Sequence, residues 1–267
     1  MRILISNDDG IQSPGLLQLA EVAREFGEVT VVAPHRERST SGHSLTLHKP
    51  LRVIPHGPGF FAATGTPADC IYLGMWEVLK GKPDLILSGI NAGANLGTDI
   101  HYSGTVAAAR EGALMNIPSY AFSLVDSAHL PKATQESERG ARPPLDFANA
   151  AEIARRVLRV TLGKRMPPHT LLNVNIPNRP IGTVDGIVVA RQGYRRYSTE
   201  VSRRTDPRGR DYYWIGGAYV GFEADAASDC QALEAGRVAV TPLTIDCTHN
   251  EYYTTLRQLD LSGALAD

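Results

Sequence analysis

The chain has 267 residues, a formal charge of −1 and a hydrophobic share of 43%, which is length enough to bury one large core, alone or with an appendage. A charge this close to zero argues against a general attraction to nucleic acid or anionic membranes, and no apolar run approaches the roughly eighteen residues that span a bilayer. Cys70, Cys230 and Cys247 stand apart with no CxxC pair, so they predict buried, reduced thiols in a cytoplasmic protein, not a zinc site or a disulfide framework.

Ile3-Leu4-Ile5 has the continuous apolar character of a buried parallel strand. It runs into Asn7-Asp8-Asp9-Gly10, after which Ser13-Pro14 supplies a cap and a first helical residue. Leu16, Leu19, Ala20, Ala23 and Phe26 give that helix its apolar face, and Gly27 stops it. Two adjacent carboxylates thus sit at the carboxyl edge of a sheet, where open α/β folds keep their ligands. They repel each other, so a cation between them relieves the strain. An EF-hand register puts Ile5 and Leu16 at ligand positions and fails. Gly10 and Gly15 are too few and wrongly spaced for a dinucleotide loop.

Glu28–Pro34 (EVTVVAP) is a second buried strand, parallel to the first because a helix joins them. Its loop, HRERSTSGH at 35–43, offers hydroxyls at Ser39, Thr40 and Ser41 and positive charge at Arg36 and Arg38. Strands are expected over Leu45–Ile54 and Phe60–Thr64. Thr66-Pro67 then opens a helix expected over Ala68–Leu79. Asp84–Ser88 predicts a third core strand, followed by a Gly/Asn-rich loop from Gly89 to Thr105. Loops this long in compact domains are commonly functional. Ser103-Gly104-Thr105 leads into a helix over Val106–Met115, whose free N–H groups form a ready anion site.

A strand over Ile117–Leu124, a surface loop over Val125–Leu145, an amphipathic helix over Asp146–Leu162 and a strand over Leu171–Ile176 follow. From Ile187 the texture changes. Arg191, Arg195, Arg196, Arg203, Arg204, Arg208 and Arg210 interleave with Tyr194, Tyr197, Tyr212, Tyr213 and Trp214. Arg, Tyr and Trp are enriched in protein interfaces, so residues 187–220 are expected to form an arm for subunit contact. Nucleic-acid binding is the weaker reading of that arm. A short helix over Ser228–Ala235, a strand over Val238–Leu243 and a helix over Asn250–Leu259 close the chain, within a single domain of 267 residues.

Successive strand ends present Asp8 and Asp9, then Ser39, then Asn91. Two carboxylates, a hydroxyl and an amide carbonyl make an all-oxygen set suited to magnesium or manganese. Beside them, Asn95, Ser103, Gly104 and Thr105 form an anion cradle. A cation next to a phosphate cradle points to phosphoryl chemistry.

NDDGI at 7–11, Arg38-Ser39, GTPADC at 65–70, SGINAGANLGTD at 88–99, YSGTVAAA at 102–109, NVNIP at 173–177 and TPL at 241–243 together resemble the SurE family, stationary-phase survival proteins that act as nucleotidases. The resemblance runs in order over nearly the whole chain. It implies a Rossmann-like α/β core, mostly parallel with helices on both faces, and a C-terminal hairpin extension that assembles dimers or tetramers. It also implies a phosphatase acting on nucleoside 5′- and 3′-monophosphates, in some members also on short polyphosphate. The family's ligands for one divalent cation per subunit, Mg²⁺ or Mn²⁺, map onto Asp8, Asp9, Ser39 and Asn91. Its phosphate site maps onto Asn95 and Ser103–Thr105. Thr40 after Ser39, and Ala107 where many members carry glycine, are small departures that remove no ligand. On this reading Asp8 or Asp9 orients or deprotonates an attacking water, with a phosphoserine route through Ser39 or Ser103 as the alternative chemistry. A non-hydrolytic nucleotide-binding regulatory module is the alternative function.

Overall fold

The computed structural model describes residues 1–126, 143–259 and residue 261, so most of the stretch expected as a surface loop over 125–145 lies outside the described residues. In chain order the elements are β1 (Arg2–Ser6), α1 (Pro14–Ala23), β2 (Glu28–Pro34), β3 (Val53–Gly57), β4 (Phe60–Ala63), α2 (Pro67–Leu73), β5 (Leu85–Ala92), α3 (Gly104–Leu114), β6 (Ser119–Val125), α4 (Phe147–Thr161) and β7 (Thr170–Pro177). They continue with β8 (Ile187–Val189), β9 (Arg195–Tyr197), β10 (Val201–Thr205), β11 (Asp211–Ile215), β12 (Tyr219–Phe222), α5 (Asp229–Glu234), β13 (Val238–Thr244) and α6 (Asn250–Leu256).

Why β1 is apolar throughout follows from its place. Nine strands form one sheet in the order β3-β4-β2-β1-β5-β6-β7-β13-β8, with β1 paired in parallel to both β2 and β5. Side chains alternate across the pleat. Ile3 and Ile5 therefore pack with Leu16 and Leu19 of α1 and Ile153 of α4, while Leu4 packs on the other face with Cys70 and Ile71 of α2. Each of these strand side chains is fully buried, worth about 1.5–3 kcal/mol apiece before entropy is counted. The sheet is mostly parallel, with β3 and β13 running antiparallel to β4 and β7. From β1 the chain moves to β2 on one side and later returns to β5 on the other, so the order reverses at β1. That reversal opens a crevice at the carboxyl ends of β2, β1 and β5.

Several boundaries differ from expectation, each for a local reason. The strand expected over 45–54 begins only at Val53, because the N–H and hydroxyl of Thr46 both bind the Asp69 carboxylate instead of a neighbouring strand. Asp69 and Thr66 form a capping box at the start of α2. The helix expected to run to Leu79 turns π-helical over Gly74–Val78, where a Cβ on Gly74 would stand 2.7 Å from the Leu4 side chain. Beyond Ser88, β5 passes a bulge and pairs Asn91 with Ser123 of β6, so the functional loop is shorter than expected. Residues 187–189 belong to the edge of the main sheet, beside β13; the rest of the expected arm comprises the β9–β12 ladder and the β10–β11 hairpin. Cys70 and Cys230 are buried as expected, whereas Cys247 is exposed.

Candidate active site at the carboxyl edge

The turn that carries the two carboxylates is built by Asn7. Its buried side chain donates to the Gly10 carbonyl at 3.0 Å and to Ser13 Oγ at 2.8 Å, and its Oδ1 accepts from Gly10 N–H at 3.2 Å. Gly10 sits at φ 101°, and a Cβ there would press on the Arg36 backbone at 3.2 Å. Ile11 N–H bonds the last carbonyl of β2 at 2.8 Å and Arg38 N–H bonds the Asp8 carbonyl at 2.7 Å. These bonds lock the Asp8-Asp9 turn to the Ser39 loop.

Asp8, Asp9, Ser39 and Asn91 line one cavity of about 790 Å³, together with Asn95 and Ser103. Asp8 is buried and accepts from the Thr105 hydroxyl. Asp9 accepts from Ala92 N–H at 3.1 Å, which ties it to the end of β5. Asn91 donates its amide to the Gly93 carbonyl at 2.9 Å, leaving Oδ1 as an acceptor. Ser39 donates to Glu37 at 2.5 Å.

Glu37 escaped the sequence reading, since one acid in a basic, hydroxyl-rich loop carries no pattern. It adds a third carboxylate beside Asp8 and Asp9, and Asp99 adds a fourth acid to the cavity. Among the described residues no Lys or Arg lines it. Arg36 and Arg38, expected to supply positive charge, do not: Arg38 is turned to the Thr64 carbonyl at 3.2 Å.

The electrostatic result is that burial, opposed by the Thr105 bond, raises the Asp8 carboxyl above its ordinary range. Burial and then the Asp8 charge push Asp9 up to about 6. Among the described residues no three His, Cys, Asp or Glu side chains gather in a metal-ligand cluster. What the cavity offers a metal is instead two carboxylates with neutral oxygens of Ser39 and Asn91 in the same wall. Crowded, desolvated carboxylates with hard oxygen neighbours fit a divalent cation of the Mg²⁺ or Mn²⁺ kind.

That strain sets an expected pH dependence. Both acids bind protons more tightly folded than unfolded; the contribution of Asp9 is present below pH 3.8 and is lost as pH rises through about 6, and that of Asp8 is lost in the same direction. A cation that binds only the folded, deprotonated site offsets this loss, by about 2.7 kcal/mol at a hundred times its Kd. Thermal melts are expected to show a larger Tm gain from Mg²⁺ or Mn²⁺ over EDTA at pH 7.5 than at pH 5. An equal gain at both pH values would remove the carboxylates as the binding groups.

The anion cradle is assembled around α3. Ser103 caps the helix by accepting from Val106 N–H at 3.0 Å, which leaves its own O–H free to donate. Gly104 lets the helix start lie against Asp8, because a Cβ there would stand 2.8 Å from the Asp8 Cβ. Thr105 differs from expectation. It is fully buried, its hydroxyl is spent on Asp8, and it supports the carboxylate from behind instead of facing the cavity.

Asn95 is held by a polar plug that sequence reading missed. Its N–H bonds Asn175 Oδ1 at 2.9 Å, its carbonyl accepts from Asn173 and Asn175, and its side chain donates to Ser123 at 2.7 Å. Asn173 and Asn175 are both fully buried in β7. Two alternating asparagines in an otherwise apolar strand were the available signal.

An acidic, oxygen-lined cavity at the switch point of a mostly parallel sheet, facing the start of a helix, defines a class: α/β proteins that hold a hard cation beside an anion. A family model described as Survival protein SurE matches residues 3–199. The chain belongs to the SurE family. It is 45% identical over 262 residues to a protein named 5′-nucleotidase SurE from Geobacter metallireducens, covering 98% of each chain. A 5′-nucleotidase SurE from Pelobacter propionicus is 49% identical, over 93% of this chain and 95% of its own. The crystal structure of the SurE protein from Aquifex aeolicus superposes with a TM-score of 0.82 at 40% identity, covering 97% of this chain and 100% of that one.

Proposed function

We infer that this chain is a metal-dependent nucleotide phosphatase, a 5′-nucleotidase that hydrolyses nucleoside monophosphates to nucleoside and phosphate. The observation that carries the reading is the cavity wall: Asp8, Asp9 and Glu37, with no Lys or Arg among the described residues that line it, stand beside the start of α3. Only a bound cation makes such a wall hospitable to a phosphate. Asp8, Asp9, Ser39 and Asn91 would hold one divalent ion, Mg²⁺ or Mn²⁺. When bound, that ion neutralises charge on a phosphoryl oxygen and acidifies water.

The protein's own groups do the rest. Asp9, held to the end of β5 through Ala92 N–H, or Asp8 beside it would orient the attacking water or take its proton. Ser103 O–H, the second amide hydrogen of Asn95 and the free N–H groups at the start of α3 donate to the equatorial oxygens. As the water oxygen bonds phosphorus, the ester bond breaks and the nucleoside oxygen leaves and takes up a proton. Water is favoured over Ser103 as the nucleophile because Ser103 Oγ is engaged as the helix cap, and a route through Ser39, whose hydroxyl donates to Glu37, is the alternative chemistry.

Activity on 3′-monophosphates and short polyphosphate is part of the same proposal, as is a cytoplasmic setting. No helix among the described residues is long and apolar enough to cross a membrane. The β10–β11 hairpin exposes Tyr213, Trp214 and Ile215, which supports its use in a homodimer or homotetramer.

The test is phosphate release from a panel of 5′- and 3′-nucleoside monophosphates in EDTA, Mg²⁺ or Mn²⁺. Release that requires metal is expected, with 5′-monophosphates among the substrates. Nucleotide bound without release under any metal would leave a non-hydrolytic binding module.

A further inference from the structure

The cavity has two chemically different ends. Asp8, Asp9, Glu37 and Ser103 make one end acidic and polar, as the chemistry of a cation and a phosphate requires. The other end is made by the arm: Tyr197 and Ser198 at the end of β9, Ile215 as the last residue of the β10–β11 hairpin, and Gly216 and Gly217 after it. This second end is neutral. Its one nearby acid, Asp99, is engaged by the buried Arg195 guanidinium at 2.6 Å. At about 790 Å³ the cavity is far larger than a phosphate and lies in the usual range for a whole small-molecule ligand.

Tyr197 is the best-placed group on the neutral wall. Its hydroxyl donates to Asp99 at 2.5 Å. Its ring lies 5.7 Å from that of Tyr219, tilted by 57°, and Arg195 sits 5.4 Å from its centroid. Arg195 also lies 4.0 Å over the Tyr219 ring, so two aromatics and one ion pair make a single rigid unit. Despite these contacts Tyr197 stays 42% exposed while lining the cavity. Burial and the Asp99 acceptor push its phenol above the ordinary range, so the ring remains neutral and uncharged at all working pH values.

The unit is also held in register with the phosphate end. Asp229 accepts from Gly97 N–H and Gly193 N–H, both at 2.9 Å, bridging the loop before Ser103 to the root of the arm. A Cβ on Gly97 would stand 2.8 Å from the Gly193 carbonyl, so these two backbones are in direct contact. A ring fixed at a set place relative to a phosphate cradle, in a neutral wall, suits a flat aromatic group joined to that phosphate through a short linker. A nucleobase on its ribose is such a group, and every base presents a π face to stack on.

We propose that Tyr197 is the base-stacking wall of this cavity and that the arm, through it, sets the preference for nucleotides over simple sugar phosphates. This rests on the phosphatase reading above and adds its specificity element. The bases are not distinguished by stacking alone, so purine and pyrimidine nucleotides are both accepted, purines better because their larger ring covers more of the tyrosine.

The test compares adenosine 5′-monophosphate with ribose 5-phosphate, which lacks the base, in wild type, Tyr197→Ala, Tyr197→Leu and Tyr197→Phe. The ratio of kcat/KM for the two substrates is expected to fall at least about ten-fold in the Ala and Leu variants. Phe keeps the ring and is expected to hold the ratio within about three-fold of wild type. Leu fills much of the tyrosine volume without a π face, so it answers for any loss of packing in the Ala variant. Adenosine binding, followed by calorimetry in EDTA, gives a readout independent of the metal and of turnover: wild type and Phe bind, Ala and Leu bind at least about ten-fold more weakly. Both substrates losing rate in proportion, with adenosine binding unchanged, would overturn the proposal and leave Tyr197 as arm packing. Adenosine bound through Tyr197 by an enzyme that releases no phosphate would keep the wall and sink the hydrolase. A wild type that does not bind adenosine overturns the wall, whatever its phosphatase rate.

Discussion

Asp9→Asn is expected to lower metal-dependent phosphate release at least about a thousand-fold, roughly 4 kcal/mol of transition-state stabilisation. Asparagine matches aspartate in shape and still offers an oxygen to Ala92 N–H, the one hydrogen bond the Asp9 side chain makes among the described residues. The fold is therefore retained. On the mechanism proposed above, what disappears is the negative charge offered to the cation and a group that orients or deprotonates the water. Relief of the Asp8–Asp9 repulsion is expected to make the metal-free variant slightly more stable than wild type at pH 7.5. A stable variant with wild-type turnover would remove Asp9 from both roles.

Loss of Asp229 is expected to act through the scaffold. Its fully buried carboxylate accepts from three backbone donors, Gly97, Gly193 and Cys230, at 2.8–2.9 Å. Asp229→Ala leaves all three without a partner, at about 1–3 kcal/mol for each that stays dry. Burial already raises the Asp229 carboxyl, so removing the charge returns part of that cost. The net expectation is a loss of about 3 kcal/mol, or roughly 6–12 °C in Tm for a domain of this size. Asn does not rescue it, because one of its two faces is itself a donor and meets Gly97 N–H. A melt shifted by less than about 2 °C would show that the clamp contributes little.

Much of the core was legible because it depends on local pattern. The apolar runs of β1 and β2, the Ser13-Pro14 start of α1 and the amphipathic pattern of α4 all read directly from neighbouring residues. The candidate ligands were legible for a topological reason: in a parallel sheet the residues just past consecutive strands share one edge. Contacts between distant segments were not legible. Nothing near Thr46 announces that Asp69 will take its N–H and hold residues 45–52 out of the sheet. Nothing near Asp229 points to Gly97. The role of Thr105 was misjudged for a related reason. A hydroxyl at a helix start fits a phosphate or a neighbouring carboxylate equally well, and only the packing of Gly104 on Asp8 decides between them.

The same long-range bonds set an order of events in the making of the protein. Asn95 is tethered to a residue 80 positions downstream, and Gly97 to one 132 positions downstream. Closing loops of that length is slow and entropically opposed until the intervening sheet has formed. A nascent chain thus carries Asp8 and Asp9 well before α5, and the cradle beside them is not fully tethered until α5 has emerged. The contacts of the carboxylates themselves, to Ala92, Gly104 and Thr105, all lie upstream of α5, so the acidic end can take shape first and the opposite wall is fixed last.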